Sequence, residues 1–488
     1  MTPGLAARSP QSLRRLARRL RGPDANARRA YARWREQVEP ELLTGLRVQR
    51  FARPTTVVGE RTVPAEVEVV TDPAALNETR ADWVLVVDPR ARLAPGAPEA
   101  FGRAATVAAG AAVITCDEDR CDARGRRAQP IVRPGPSPDL LATVDLAGAA
   151  ILVDRRRALA AGVALDHPGW RLAVTRTLTG TDGSGAAHVS AILAHREGDD
   201  RTQPPAVGDR PTAPGVTGEP VVEVIIPFRD RHELLDRAVN SLLATTHWAL
   251  LQVTLIDNGS AIPPPDHITG DARVSVVADP RPFNFAALCN AAAGRSRADV
   301  LVLLNNDTEV VEPGWLERLV GEAQRPEVGA VAPLLTYPDG KVQHAGVAVG
   351  LFGLAGHPFA GLAPEERGPF GAATDGTRNW MAVTAGCLVI ERAKFVAVGG
   401  FDEGFVVGGQ DVDLGIRLTA RGHRSLCVTD VRVIHDEARS RGDHVAATDP
   451  THSERAYGAF RTDGDPFYSP ALTLAATNCG LRTAGEPW

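Results

Sequence analysis

After residue 220 the chain alternates short apolar runs with longer amphipathic stretches. VVEVIIP (221–227), LQVTLID (251–257), RVSVVAD (273–279) and ADVLVLLNND (298–307) have strand length and end at turn residues or carboxylates. Between the first two, Leu234, Leu235, Ala238, Val239, Leu242 and Leu243 recur at helical spacing, with Asp230 and Glu233 placed as a capping box. Nearly continuous apolar strands alternating with helices predict an α/β fold whose mainly parallel sheet is covered on both faces. Ligands of such sheets bind beyond the carboxyl ends of the strands. Asp257 and Asp307 are therefore expected on one rim, although far apart in the chain.

The first half echoes the second. DWVLVVDPRARLAPG (82–96) resembles DVLVLLNNDTEVVEPG (299–314), AAILVDRR (149–156) resembles GCLVIERA (386–393), and HVSAILAHRE (188–197) resembles TDVRVIHDE (429–437). Three matches in constant order favour a duplication, with one insertion absorbing the drift in offset. Between the halves, residues 196–220 are polar, rich in Pro and Gly, and without apolar periodicity, which reads as a linker.

Composition narrows the class. The 488 residues carry 54 basic and 59 acidic side chains, a net charge of -5, which gives no global reason to expect nucleic acid as a partner. Residues 1–50 are the exception, with twelve arginines against four acidic residues. A solvated helix and a surface for an anionic membrane or partner both fit that segment. No apolar stretch reaches membrane-spanning length and no secretion signal opens the chain, so a cytoplasmic location is expected, with peripheral contact at the inner membrane face. Cys116, Cys121, Cys289, Cys387, Cys427 and Cys479 form no CxxC pair and read as small core residues.

Four sites combine chemistry with position. Asp257 closes a strand before Asn-Gly-Ser, where its carboxylate fits a ribose or base contact and equally a turn. Asn305, Asn306 and Asp307 emerge together from a buried strand, as oxygen donors to a divalent cation or as a helix cap. Asp411, in GGQDVDL, is expected in the first turn of a helix closing at Gly422, where the helix dipole keeps a carboxylate ionised as a base; capping is the rival role. Asp413 cannot share its face and reads as structural. His435 ends VRVIHDE at another strand terminus, positioned to reach a cation held by Asp307.

Taken together, VIIPFRDR, LIDNGS, PFNFAALCNAA, LVLLNNDTEVVEPGWL, YPDGKVQHAGV, AVTAGCLVIERAKFVAVGGFDE, QDVDLGIRL and VIHDEARSRG resemble, in this order, the inverting family-two glycosyltransferases of GT-A fold. The closest likeness is to bacterial members that build O-antigen, capsule or cell-wall polysaccharide. The resemblance spans about 221–442 and implies a hexosyl- or deoxyhexosyltransferase using a nucleotide-diphosphate sugar donor and a glycan or lipid-linked acceptor.

It places Pro227, Arg229, Asp257, Asn305 and Asn306 around the nucleotide, and Asp307 and His435 on Mn2+ or Mg2+. Asp411 falls on the catalytic base, and His344 and Trp380 fall near the acceptor. Two departures stand out: Asn-Asn opens the metal segment, and Gln410 precedes the base. They favour, as the alternative, a non-catalytic carbohydrate-binding or assembly protein.

The resulting division is a basic helical segment 1–50, a degenerate GT-A-like unit 51–197, a linker 198–220, a catalytic unit 221–445 and a C-terminal segment 446–488. In the first unit the offsets set Arg90 at the place of Asp307, Gly169 at that of Asp411 and His195 at that of His435, so this unit is expected to be catalytically dead.

Overall fold

The computed structural model describes residues 23–486 apart from 52, 59–61, 123, 167–168, 199–213, 437–448 and 459. Most of the expected linker, the arginines before residue 23 and the end of the VIHDEARSRG motif lie outside the described residues. Among those described, no helix is long and apolar enough to cross a membrane.

Each half builds its own sheet. The first contains β1 (Leu46–Arg50), β2 (Arg53–Val58), β3 (Val67–Val70), β4 (Trp83–Val87), β5 (Ala91–Leu93), β6 (Val113–Cys121), β7 (Arg127–Ile131), β8 (Ala150–Asp154) and β9 (Ala186–Glu197), in the order β2-β1-β9-β6-β8-β4-β3. The second contains β10 (Val222–Phe228), β11 (Leu251–Asp257), β12 (Val274–Ala278), β13 (Val300–Leu304), β14 (Thr308–Val310), β15 (Val328–Thr336), β16 (Val342–His344), β19 (Arg378–Trp380), β20 (Cys387–Glu391) and β21 (Arg424–His435). Its order is β12-β11-β10-β13-β20-β15-β21-β14. A separate two-stranded ribbon joins β17 (Ala348–Val349) and β18 (Ala355–Gly356).

The sheet is less parallel than the apolar runs suggest. Strands β10 to β13 are mutually parallel, but β20 runs antiparallel to both β13 and β15. Uniformly apolar strands report burial on both faces, and burial does not encode direction. Helix His232–Thr245 forms where the spacing predicts it, burying Leu234, Leu235, Ala238, Val239 and Leu242. Its expected capping box does not form. Arg231 takes the N-cap position in the left-handed region, Asp230 accepts from the Ala261 amide, and Glu233 pairs with Arg231.

The halves share a core. Tyr31, Trp34, Val38, Leu42, Val132 and Ile192 pack in one apolar cluster with second-half residues such as Leu288, Phe370 and Trp380. Polar contacts reinforce the joint. Asn379 accepts from the Ser137 hydroxyl and donates to Asp139, which also pairs with Arg325 and Arg424. Gln49 of β1 donates to the carbonyls of Asp465, Pro466 and Tyr468, fastening the C-terminal segment to the first sheet. All six cysteines are buried and free, as expected of core residues.

Candidate active site

Chain direction creates the cleft. Strand β10 is followed by β11 on one side, and the chain later returns to place β13 on the other, so the order reverses beside β10. Loops leaving the two carboxyl ends must diverge there, which opens a crevice. A cavity of about 410 Å³ fills it, lined by Pro227 and Arg229 after β10, Asn258 after β11, Asn305, Asn306 and Asp307 after β13, and Phe283, Phe285 and His435. A second cavity of about 220 Å³ shares Phe285, Asn305 and His435 with the first and adds Gln343, His357, Asp411 and Tyr457. A third cavity, about 710 Å³ between the halves, contains none of the expected site residues, and its arginines 318 and 325 are engaged in ion pairs.

Where the cavities meet, polar groups converge. His435 Nε2 stands 3.2 Å from Asp307 Oδ1 and 3.2 Å from Asn305 Nδ2. Half a turn of the carboxamide would present Asn305 Oδ1 at the same place. On the other ring edge, His435 Nδ1 lies 3.3 Å from the buried Gln343 Oε1. That contact sets the ring's orientation, as partners of metal-binding histidines commonly do. Among the described residues no three His, Cys, Asp or Glu side chains cluster as a metal group. One carboxylate, one imidazole and one carboxamide nonetheless suit Mn2+ or Mg2+ when a diphosphate and water complete the shell.

Asp411 occupies the first turn of helix Gln410–Ala420, as its place after Gly-Gly predicts. Its Oδ2 accepts the Ala385 amide at 3.0 Å and its Oδ1 accepts the Val412 amide at 2.9 Å, which fixes the direction of the carboxylate. Asp413 points elsewhere, pairing with Arg417.

The remaining expected residues separate. Pro227, Arg229, Asn305 and Asn306 line the larger cavity, whereas Asp257 lines neither and accepts the Ser260 amide at 2.8 Å. That bond fits the turn role, because the short Asn-Gly-Ser return folds the amide onto the carboxylate. Trp380 is 1% exposed, packs edge-on against Phe370 and lines neither cavity.

His344 is fully buried, 2.9 Å from His357 Nδ1, and burial with the neighbouring His357 and His435 holds its pKa well below the ordinary histidine value. The ladder slips at Gln343, which meets His435 and lines the smaller cavity, while His344 sits just behind that wall, against His357 and the Thr384 amide. His357, Phe283, Phe285 and Tyr457 are further cavity residues the sequence reading did not single out. The aromatic pair in PFNF, directly after β12, was the available signal.

Residues 223–355 match the family model described as Glycosyl transferase family 2. The chain is 41% identical over 417 residues to the O-antigen biosynthesis protein RfbC of Myxococcus xanthus, covering 77% of this chain and 32% of that protein. Over 175 residues it is 32% identical to an N-acetylglucosaminyl-diphospho-decaprenol L-rhamnosyltransferase of Mycobacterium tuberculosis, covering 34% of this chain and 56% of that one. The chain thus spans about a third of the first relative and just over half of the second. Among solved structures, GalNAc-T7 with UDP, GalNAc and Mn2+ overlaps at 20% identity and a TM-score of 0.39, over 49% of this chain and 48% of that one.

Proposed function

We propose, from the premise that this chain carries a family-two glycosyltransferase domain, that it transfers a hexosyl or deoxyhexosyl group with inversion from a nucleotide-diphosphate sugar to a glycan or lipid-linked acceptor. The reading extends to cell-surface polysaccharide synthesis, with the acceptor met at the inner membrane face. One observation carries it: two cavities meet at Asn305 and His435, with Asp411 on the wall of the smaller one. A donor whose nucleotide occupies the larger cavity would extend its sugar past Asn305 into the smaller.

The residues have separable roles. Arg229, exposed at the mouth of the larger cavity, supplies positive charge toward the diphosphate. Asp307, His435 and the Asn305 carboxamide would hold Mn2+ or Mg2+, which when bound neutralises charge developing on the leaving diphosphate. Asp411 takes the proton of the acceptor hydroxyl as its oxygen attacks the anomeric carbon. Its fixed amide partners keep the carboxylate aimed while the nucleotide diphosphate departs on the opposite side.

The test is release of nucleotide diphosphate from a panel of nucleotide-diphosphate sugars, with and without Mn2+. Asp411→Asn is expected to lower turnover about 10²- to 10⁴-fold while donor binding persists. Full turnover in that variant would overturn the base assignment. Donor binding without turnover in the wild type, across a broad acceptor panel, would favour the carbohydrate-binding alternative.

A further inference from the structure

Helix Asp449–Tyr457 belongs to the C-terminal segment, yet one of its faces is spent on the loop that delivers Asp411. Asp449, His452, Ser453 and Tyr457 recur at i, i+3, i+4 and i+8, hence on a single side. Asp449 is 2% exposed and accepts three consecutive loop amides: Val406 at 2.8 Å on Oδ1, and Val407 and Gly408, both at 2.9 Å, on Oδ2. The His452 ring lies edge-on to Phe405 at 5.2 Å, so close to Gly404 that a Cβ there would stand 2.0 Å from His452 Nε2. At Gly409, whose φ is +104°, a Cβ would stand 2.8 Å from the Phe405 ring and 3.0 Å from Ser453 Oγ. The loop's other edge is tied down too, because the Phe285 amide donates to the Val406 carbonyl at 2.9 Å.

The consequence reaches only one of the two cavities. Val407, Gly408, Gly409, Asp411 and Tyr457 line the smaller cavity, while no residue of 406–412 or of the helix lines the larger. Tyr457 donates to Ser453 Oγ at 2.5 Å. Burial, with Asp411, Asp413 and Asp449 acting in the same sense, raises its pKa, so the hydroxyl stays protonated.

We propose that Asp449 is a positioning residue for transfer. Its three charge-assisted hydrogen bonds fix the glycine-rich loop so that Asp411 faces Asn305 and His435, and the helix it opens forms the acceptor side of the cavity through Tyr457. The proposal rests on the transferase reading above and adds a residue outside the matched family segment, which ends at 355.

The experiment uses the full chain, the donor identified by the panel, and octyl glycosides as acceptor probes. In Asp449→Asn, transfer is expected to fall about 10- to 100-fold while donor affinity by calorimetry stays within about threefold. The ratio of transfer to donor hydrolysis should also fall, because a smaller folded fraction would scale both rates equally. Amide hydrogen exchange at 406–408 should accelerate in the same variant. Wild-type transfer and ratio, or unchanged exchange, would overturn the proposal.

If Asp449→Asn does not fold, Tyr457→Phe keeps the ring and removes only the hydroxyl. It should raise the octyl glycoside KM about 5- to 20-fold at constant donor affinity, and an unchanged KM would overturn the acceptor assignment. Should the wild type turn over no donor, the transferase reading fails on its own. The exchange measurement then still decides whether Asp449 holds the loop.

Discussion

The two sheets carry the same pairing scheme around different chemistry. In the first, β3 runs parallel to β4, β4 antiparallel to β8, β8 antiparallel to β6, β6 parallel to β9, and β5 antiparallel to β9. In the second, β10, β13, β20, β15, β21 and β14 repeat those relations in the same order. Among the described residues the first sheet ends at β3, where the second continues into β11 and β12. Without those strands there is no order reversal beside β3, and so no crevice of the kind that opens next to β10.

The register also revises two correspondences drawn from sequence offsets. Ala91 faces Arg196 as Thr308 faces His435, so Arg196, not His195, stands at the position of His435. His195 bonds Asp119 instead. Helix Trp170–Thr179 begins as Gln410–Ala420 does, which puts Arg171, not Gly169, at the place of Asp411.

With Arg90 at the place of Asp307, three arginines occupy the positions of the two expected metal ligands and the expected base. They surround Asp88, which lies 2.8 Å from Arg171 and 3.5 Å from both Arg90 and Arg196. Burial opposes ionisation of Asp88, but the Arg90 amide and the three guanidinium groups outweigh it and hold its carboxyl below the usual range. Three guanidinium groups there oppose the approach of a further cation. The two sheets thus share a pairing scheme, while the places that carry Asp307, Asp411 and His435 in the second carry arginines around a buried aspartate in the first.

This contrast can be broken at several points. Asp307→Ala should abolish the Mn2+-dependent thermal shift expected with donor, a loss of roughly tenfold or more in apparent metal affinity. Calorimetry on the wild type should show one nucleotide site per chain, and two would end the contrast.

The joint between the halves predicts a pH effect. Asp465, whose backbone carbonyl is held by Gln49, is buried, and desolvation pushes its pKa up to about 7. A carboxyl whose folded pKa exceeds its unfolded value binds more protons when folded. Stability should therefore fall as pH rises from about 4 to about 7, by up to ~4 kcal/mol, and level off above. Urea melts across that range should show the slope, and Asp465→Asn should flatten it.

The smallest effect is expected at Asp88. Asp88→Ala leaves Arg171 and Arg196 without that partner, at a cost of about 2 kcal/mol because both retain some solvent contact. Donor affinity should not change. A weakened donor site, read by calorimetry, would mean that the first half participates in binding.

Much was legible in the sequence. The strands at 222–228, 251–257 and 300–304, the helices around 234 and 411, and the shared rim for Asp307, Asp411 and His435 follow from local periodicity, turn residues and motif order. Asp257, His344 and Trp380 stand off the walls of the two cavities for a common reason: each lies within a recognisable motif, but motif membership does not say which way a side chain turns. Gln343 lies on the cavity wall and its neighbour His344 just behind it because the ladder slips at Gln343, a one-residue distinction that only the register resolves.

By itself the sequence determined the elements and the identity of the groups that converge, since these depend on spacing along a few turns or strands. Tertiary structure alone decided that β20 runs antiparallel, that Arg171 and Arg196 close the first site, and that Asp449 clamps the loop before Asp411. Those outcomes rest on contacts between residues distant in the chain, whose geometry is set by packing and hydrogen-bond register, which no local pattern encodes.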